Sequence, residues 1–270
     1  MTTTTRDLLE LAEGEVPVEG VTSPEVIAAS IARYQFAAGF VKGKRVLDVG
    51  CAFGRGSAQL ADAGAAEVVG IDRLAEAVRM GRLLHKRRNL CLLAVAIEEY
   101  QPEGPFDVLV AFEVIEHCDD PASVLHRFRD WLRPGGLCII STPNGERQRC
   151  MWARNPYHKF EWSASEFRER LSSCLCVLHL HGQGRIGPPL ARRLRQCACA
   201  LDGAQPWCRL ARRVLRKLST KTGYHEWRGE DPYPLDADHT GGGGDIPMAL
   251  VAVCQRTAAS GCEEDSDPLC

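Results

Sequence analysis

Apolar residues along the middle of the chain gather into short unbroken runs: Val68-Val69-Gly70-Ile71, Leu90-Cys91-Leu92-Leu93-Ala94-Val95, Val108-Leu109-Val110-Ala111-Phe112 and Leu137-Cys138-Ile139-Ile140. Runs of this length without polar alternation predict strands buried on both faces, as in a parallel sheet. Val46-Leu47-Asp48-Val49 adds a first strand, and Cys174 to His181 and Ala249 to Cys254 add two more. Helical spacing lies between the strands, over Ser57 to Ala63, Ala122 to Leu132 and Ser165 to Leu171, with a turn at Arg133-Pro134-Gly135-Gly136. The βαβ rhythm predicts an α/β fold, a doubly wound and mostly parallel seven-stranded sheet with ligands at the strand carboxyl ends. Ahead of it, Thr22-Ser23-Pro24-Glu25 caps a helix that runs through Val26, Ile27, Ile31 and Tyr34 toward Phe40.

The pattern changes after Pro188. Leu190, Leu194, Cys197, Ala198 and Leu201 form one helical stripe, and Trp207, Leu210, Ala211, Val214, Leu215 and Leu218 form another beyond a turn. The expected organisation is an N-terminal cap helix region over 1–42, the α/β domain over 43–181 and 246–257, a helical insertion or lid with a glycine-rich connector over 182–245, and a disordered acidic tail over 258–270. The insertion's polar faces are arginine-rich, including Arg192, Arg193, Arg212 and Arg213. Such faces suit peripheral contact with a membrane or an anionic substrate, and equally a solvated surface.

Residues 46–56 carry the clearest chemistry, V-L-D-V-G-C-A-F-G-R-G, an apolar strand breaking into a loop that opens a helix. Glycine serves where the chain turns sharply, takes positive backbone angles and lets its amides approach a ligand. A dinucleotide site would read G-x-G-x-x-G. This loop begins with an acid, Asp48, which repels pyrophosphate and suits a cofactor bearing sulfonium and ammonium groups. It resembles the E/D-x-G-x-G-x-G motif of the class I S-adenosylmethionine-dependent methyltransferases, with Ala52 in place of the middle glycine. Asp72 ends the second strand about 20 residues beyond the loop, where a carboxylate accepts from ribose hydroxyls; its bland alternative is a helix N-cap. Phe106-Asp107 through Val114-Ile115-Glu116-His117 is similar to the family's F-D-x-x-x-x-x-x-V-[IL]-E-H segment.

The resemblance implies a Rossmann-like fold and S-adenosyl-L-methionine as cofactor. It implies Asp48 and the backbone of Gly50, Cys51, Ala52 and Gly54 around the methionine end, Asp72 with Arg73 at the ribose, and Phe112 under the adenosine. The family's acid after strand three is Ala96 here, so the adenine contact passes to Ile97 or Glu98. His117 and His158 are the candidate bases for a hydroxyl acceptor, and no metal is required. Arg33, Tyr34, Asn144, Tyr157 and His158 are the candidate acceptor contacts. Asn155-Pro156-Tyr157-His158 resembles a segment of methyltransferases associated with glycan and natural-product tailoring, whose alternative is a loop pinned by its own aromatics.

Composition adds boundaries. With 33 basic against 35 acidic residues, bulk charge names no partner, and nucleic acid is not expected. The opening Met1-Thr2-Thr3-Thr4-Thr5 has no apolar core of a signal peptide, so a cytoplasmic enzyme is expected. The 13 cysteines include no C-x-x-C pair; Cys51, Cys91, Cys138 and Cys254 read as small hydrophobes. The leading expectation is methyl transfer to a small-molecule or glycan acceptor, most simply at a hydroxyl oxygen, in biosynthetic tailoring. Alternatives are a quinone-like or membrane-associated acceptor, or a non-catalytic cofactor-binding partner. Oligomeric state is not written in the sequence.

Overall fold

The computed structural model describes residues 24–147, 157–186, 232–235 and 246–257. Helix α1 (Pro24–Ala38) leads into β1 (Arg45–Val49), α2 (Arg55–Asp62), β2 (Glu67–Asp72), α3 (Ala75–Leu84), β3 (Leu90–Ala94) and β4 (Phe106–Phe112). A 3-10 turn (Ile115–His117), α4 (Pro121–Trp131), β5 (Leu132–Pro143), α5 (Ala164–Ser172), β6 (Cys176–Ile186), β7 (Tyr233–Pro234) and β8 (Ile246–Gln255) follow. The strands form one sheet in the order β3-β2-β1-β4-β5-β8-β6-β7. Strands β1 to β5 pair in parallel, while β8 runs antiparallel between β5 and β6.

Side-chain alternation along each buried strand divides the core into two layers. Leu47, Val49, Val69, Ile71, Leu109, Ala111 and Ile140 face Phe128 and Trp131 of α4 and Phe167 and Leu171 of α5. Their neighbours Val46, Val68, Val108, Val110, Ile139 and Val251 face the other way, against Tyr34 and Ala37 of α1 and Leu60 and Ala61 of α2. Each parallel strand therefore needs apolar residues at consecutive positions, which is why β1, β2 and β4 read as continuous runs.

Helix starts follow local chemistry. Asp120 caps α4 by accepting from the Ser123 amide, with Pro121 in the first turn. Ser163 and Glu166 form a reciprocal capping box at α5.

The expected seven strands are present, and the two-residue β7 adds an eighth at the edge by pairing with His181 and Gly182. Strand β5 starts at Leu132, not Leu137: Leu132 pairs with Phe106, and the ladder shifts register before Val108, so the expected Pro-Gly-Gly turn lies inside an irregular strand. Strand β6 begins at Cys176 and runs to Ile186, five residues beyond the expected boundary at 181, because β8 pairs along that whole length. Cys174, expected to open this strand, lies before it. The insertion's two helices, the Gly241 to Gly244 connector, Arg154 to Pro156 and the acidic tail lie outside the described residues. Among the described residues no helix is long and apolar enough to cross a membrane.

Candidate active site

The loop leaving β1 holds three left-handed residues, Gly50 (φ 74°), Ala52 (φ 48°) and Gly54 (φ 71°). The Gly50 and Cys51 amides both donate to the Ile71 carbonyl, at 2.9 and 3.1 Å, folding the loop over the end of β2. A methyl on Gly50 would run into the Val114 side chain, and one on Gly54 would meet Leu92 Cδ1 at 2.5 Å. Both glycines are thus required by angle and by space. Gly54 is the N-cap of α2 and offers no capping side chain, so the first-turn amides remain for a ligand.

Ala52 stores strain of about 1–2 kcal/mol in its left-handed conformation. Ala52→Gly is expected to stay within about 1 kcal/mol of the parent in chemical denaturation, since relief of strain offsets the added unfolded-state entropy. Ala52→Val is expected to lose clearly more, because a β-branched residue tolerates that region worst.

Asp72 ties the loop to β2. Its Oδ2 accepts from the Ala52 amide and its Oδ1 from the Leu74 amide, each at 2.8 Å. The N-cap of α3 is Leu74, so Asp72 is not a helix cap. Asp48 is fully buried and accepts from the Tyr34 hydroxyl at 3.0 Å and the Ser57 hydroxyl at 2.5 Å. Burial drives its carboxyl up to about 7; the two hydroxyls pull the other way and Asp72 adds a further push upward. The Tyr34 ring lies over Gly56, where a Cβ would overlap it, and edge-on to Phe112 at 5.0 Å. Tyr34 and Phe112 therefore sit in the α1 and α2 layer of the core, directly behind the loop.

Arg33 is buried beside them. It donates to Gln183 Oε1 at 3.0 Å, and Gln183 in turn donates to the Ala29 carbonyl, joining α1 to β6. Arg33 also reaches Glu113 Oε1 at 3.6 Å. Glu113 takes a left-handed conformation (φ 56°) at the end of β4 and accepts from Ser141 Oγ at 2.7 Å. Glu113 is thus a strained acid held by Arg33 and Ser141 at a strand carboxyl end. Ile97 is half-buried against the α4 and α5 layer, while Glu98 and Arg73 are exposed. Burial pushes the nearby Cys118 thiol up to about 12, with Glu98 and Glu116 adding to the rise and Lys159 and Arg73 opposing it.

The turn after β4 and the segment at 157–161 meet. The Lys159 amide donates to the Glu116 carbonyl at 2.9 Å, His117 Nδ1 donates to the Tyr157 carbonyl at 3.1 Å, and the Lys159 ammonium pairs with Asp119. The His117 and His158 rings stand edge to face, 5.0 Å apart. His158 Nδ1 donates to Glu161 Oε1 at 2.6 Å, with both side chains buried. Glu116 is fully buried: Oε2 accepts from Thr142 at 3.3 Å, and Oε1 has no hydrogen-bond partner. Burial, then the Glu113 carboxylate, push its carboxyl well above the usual range. Donor atoms of Glu116, His117 and His158 lie within 4.8 Å of one another. Asn144 is fully buried, with its amide on the Pro247 carbonyl and its Oδ1 accepting from the Glu146 amide, so it braces the turn after β5. Tyr157 is 43% exposed and offers its carbonyl to His117.

Four polar residues at the site were not singled out by sequence. Glu113 and Glu116 had a visible signal, acids at the end of an apolar strand. Glu161 stands three residues after His158, a spacing that is legible only once that histidine is known to be buried. Gln183 carried no signal, because its partners are 150 and 154 residues away.

A glycine loop over the end of β1, an acid at the end of β2 and the 3-2-1-4-5 order with an antiparallel strand inserted define a class I, S-adenosylmethionine-dependent methyltransferase. The chain belongs to the methyltransferase-domain family, whose profile, described as "Methyltransferase domain", matches residues 24–175. It is 39% identical over 123 residues to the ubiquinone biosynthesis O-methyltransferase of Bordetella bronchiseptica, a stretch covering 44% of this chain and 51% of that protein. It is 41% identical over 106 residues to the protein of that name from Aeromonas salmonicida, covering 38% and 44%. The match thus spans about half the length of these relatives. Among solved structures, the N-methyltransferase NodS of Bradyrhizobium japonicum WM9, in complex with S-adenosyl-L-homocysteine, superposes with a TM-score of 0.52 at 15% identity, covering 86% of this chain and 88% of that one. That likeness is one of fold.

Proposed function

We propose that the chain transfers a methyl group from S-adenosylmethionine to a hydroxyl oxygen of a quinone-like aromatic acceptor. The observation that carries the reading is the contact of Gly50 with Val114, which sets the cofactor loop against the turn bearing Glu116 and His117. Cofactor residues and candidate acceptor residues thus share one end of the sheet. The names of the two ubiquinone-biosynthesis relatives support this acceptor class over the glycan acceptor expected from the Asn155 to His158 segment.

When bound, the cofactor supplies a methyl group on a sulfonium that is its own leaving group. The chain's part is to hold the acceptor oxygen in line with that methyl and to take its proton. Asp72 would hold the ribose end, and the Gly50 to Gly54 loop, with Asp48 behind it, would lie along the methionine end. His117 and His158, oriented by the Tyr157 carbonyl and by Glu161, would take the acceptor proton. The chemistry supplied would be transfer of the methyl from sulfur to the acceptor oxygen, which would leave a methyl ether and S-adenosylhomocysteine.

The test is incubation with S-adenosylmethionine and, separately, a hydroxylated benzoquinol and a hydroxylated sugar, with products read by mass spectrometry. A monomethyl ether of the benzoquinol is expected. Methylation of the sugar alone would overturn the acceptor class, and cofactor binding with no product from either would favour the non-catalytic alternative.

A further inference from the structure

We infer that the acidic tail of this chain, residues 258–270, docks in a basic cleft at the open edge of β3, near the strand starts and away from the end that carries the cofactor loop. The cleft has a volume of about 380 Å³, and its lining includes Arg82, His85, Lys86, Arg87, Arg88 and Leu90. Four of these bases form one run, 85–88, between α3 and β3. Arg82 donates to the Leu92 carbonyl at 2.7 Å, and Arg87 holds both oxygens of Asp62, at 2.8 and 2.6 Å. Among the described residues Lys86 and Arg88 have no acidic partner. Burial, then Arg87 and Arg55, hold the His85 imidazole below its usual value, with Asp62 opposing. The cleft thus carries positive charge beyond what Asp62 cancels.

The tail is its complement. Glu263, Glu264, Asp265 and Asp267 fall within five positions, and residues 258–270 hold no lysine, arginine or histidine. Leu269 follows these acids, while Leu83 and Leu84, 61% and 64% exposed, adjoin the bases of the cleft. Apolar and charged parts therefore match in the same order of proximity.

Strand register shows that the tail can reach. Gln255, the last residue of β8, pairs with Leu137, Leu137 with Val108, Val108 with Val46, Val46 with Val68, and Val68 with Leu90 in the cleft wall. This row crosses five strand spacings, roughly 24 Å at about 4.8 Å each. An extended chain advances about 3.3 Å per residue, so Glu263, eight residues beyond Gln255, reaches roughly 26 Å, and Asp267 reaches farther with slack. A tether this short gives an effective concentration on the order of millimolar, which lets individually weak surface ion pairs hold together. A seated tail would also cover the edge of β3, where unpaired strand groups otherwise invite another chain.

The test is carbodiimide cross-linking of the full chain, which joins a carboxylate to a neighbouring lysine amine as an amide with loss of water, read by peptide mass spectrometry. Lys86 is expected to join the acids at 263–267 in far higher yield than exposed Lys42 does. Arg88→Glu is expected to lower the Lys86 yield several-fold, as is about 1 M salt, where the Debye length is about 3 Å. In a mixture of light and isotopically heavy chains, the linked peptides are expected to carry one label. Independently, Glu264→Gln with Asp265→Asn is expected to lower the His85 titration midpoint measured by NMR, because nearby carboxylates favour the imidazolium. Tail cross-links spread evenly over Lys42 and Lys86, or a His85 midpoint unmoved by the tail variant, would overturn the inference. Peptides of mixed label would assign the cleft to the tail of a second copy and overturn docking within one chain. Flotation with anionic lipid vesicles that needs Lys86 and Arg88, with Lys86 unlinked to the tail, would overturn it in favour of lipid headgroups.

Discussion

Asp72→Ala is expected to lower S-adenosylhomocysteine affinity by at least about 100-fold in titration calorimetry, with the protein still folded. A carboxylate accepts about four hydrogen bonds. The Ala52 and Leu74 amides take two at 2.8 Å, which fixes both oxygens at the end of β2, where a ribose diol would add its own donors. Hydrogen bonds to a charged group contribute about 1.5–3 kcal/mol each, and 100-fold corresponds to about 2.7 kcal/mol, so two ribose bonds suffice. The substitution also releases the Ala52 amide, loosening the loop that meets the methionine end. Asp72→Asn is expected to be impaired too, because its amide group presents a donor where one of the two backbone donors points. An affinity within a few-fold of the parent would remove Asp72 from the ribose.

The second large effect concerns pH. The Asp48 carboxyl rises from 3.8 to about 7 on folding. Between those values the folded chain keeps a proton that the unfolded chain has lost, so stability falls as pH rises from about 4 to 7 and levels off above. Three units correspond to about 4 kcal/mol. Asp48→Asn has no such proton to lose, and its side chain still bonds with the Tyr34 and Ser57 hydroxyls, which can each donate or accept. Relative to the parent, the variant is therefore expected to gain melting temperature between pH 5 and pH 8, by several degrees for a chain of this length. A parent-to-variant difference independent of pH would mean that Asp48 is ionised across that range. Saturating S-adenosylmethionine should shrink the difference, because a cation nearby favours the carboxylate.

The strands β1, β2 and β4 were legible because burial on both faces demands unbroken apolar runs, and their carboxyl ends carried Asp48, Asp72 and the Glu116-His117 pair in plain view. The start of β5 was not, because Pro134-Gly135-Gly136 has the composition of a turn, and only the neighbouring strand shows that Leu132 is already paired. A two-residue strand such as β7 has no period to detect. At the site, His117 and His158 were found singly as bases. Their meeting depends on the bonds joining Lys159 to Glu116 and Tyr157 to His117 across 40 or more positions, contacts that no local pattern encodes. Asn144 was chosen as an acceptor contact for its position at a strand end, but its amide is committed to the Pro247 carbonyl, 103 residues on.

The location of β8 bears on how the molecule is made. It pairs with β5 from Leu137 to Pro143 on one side and with β6 from Cys176 to Ile186 on the other, yet among the described strands it is the last to be made. Until then β5 and β6 each present an unpaired apolar edge, the kind that recruits strands from other chains. Closure of this part of the sheet must wait for β8, so the edges of β5 and β6 that β8 will cover stay open while residues 187–245 are synthesised.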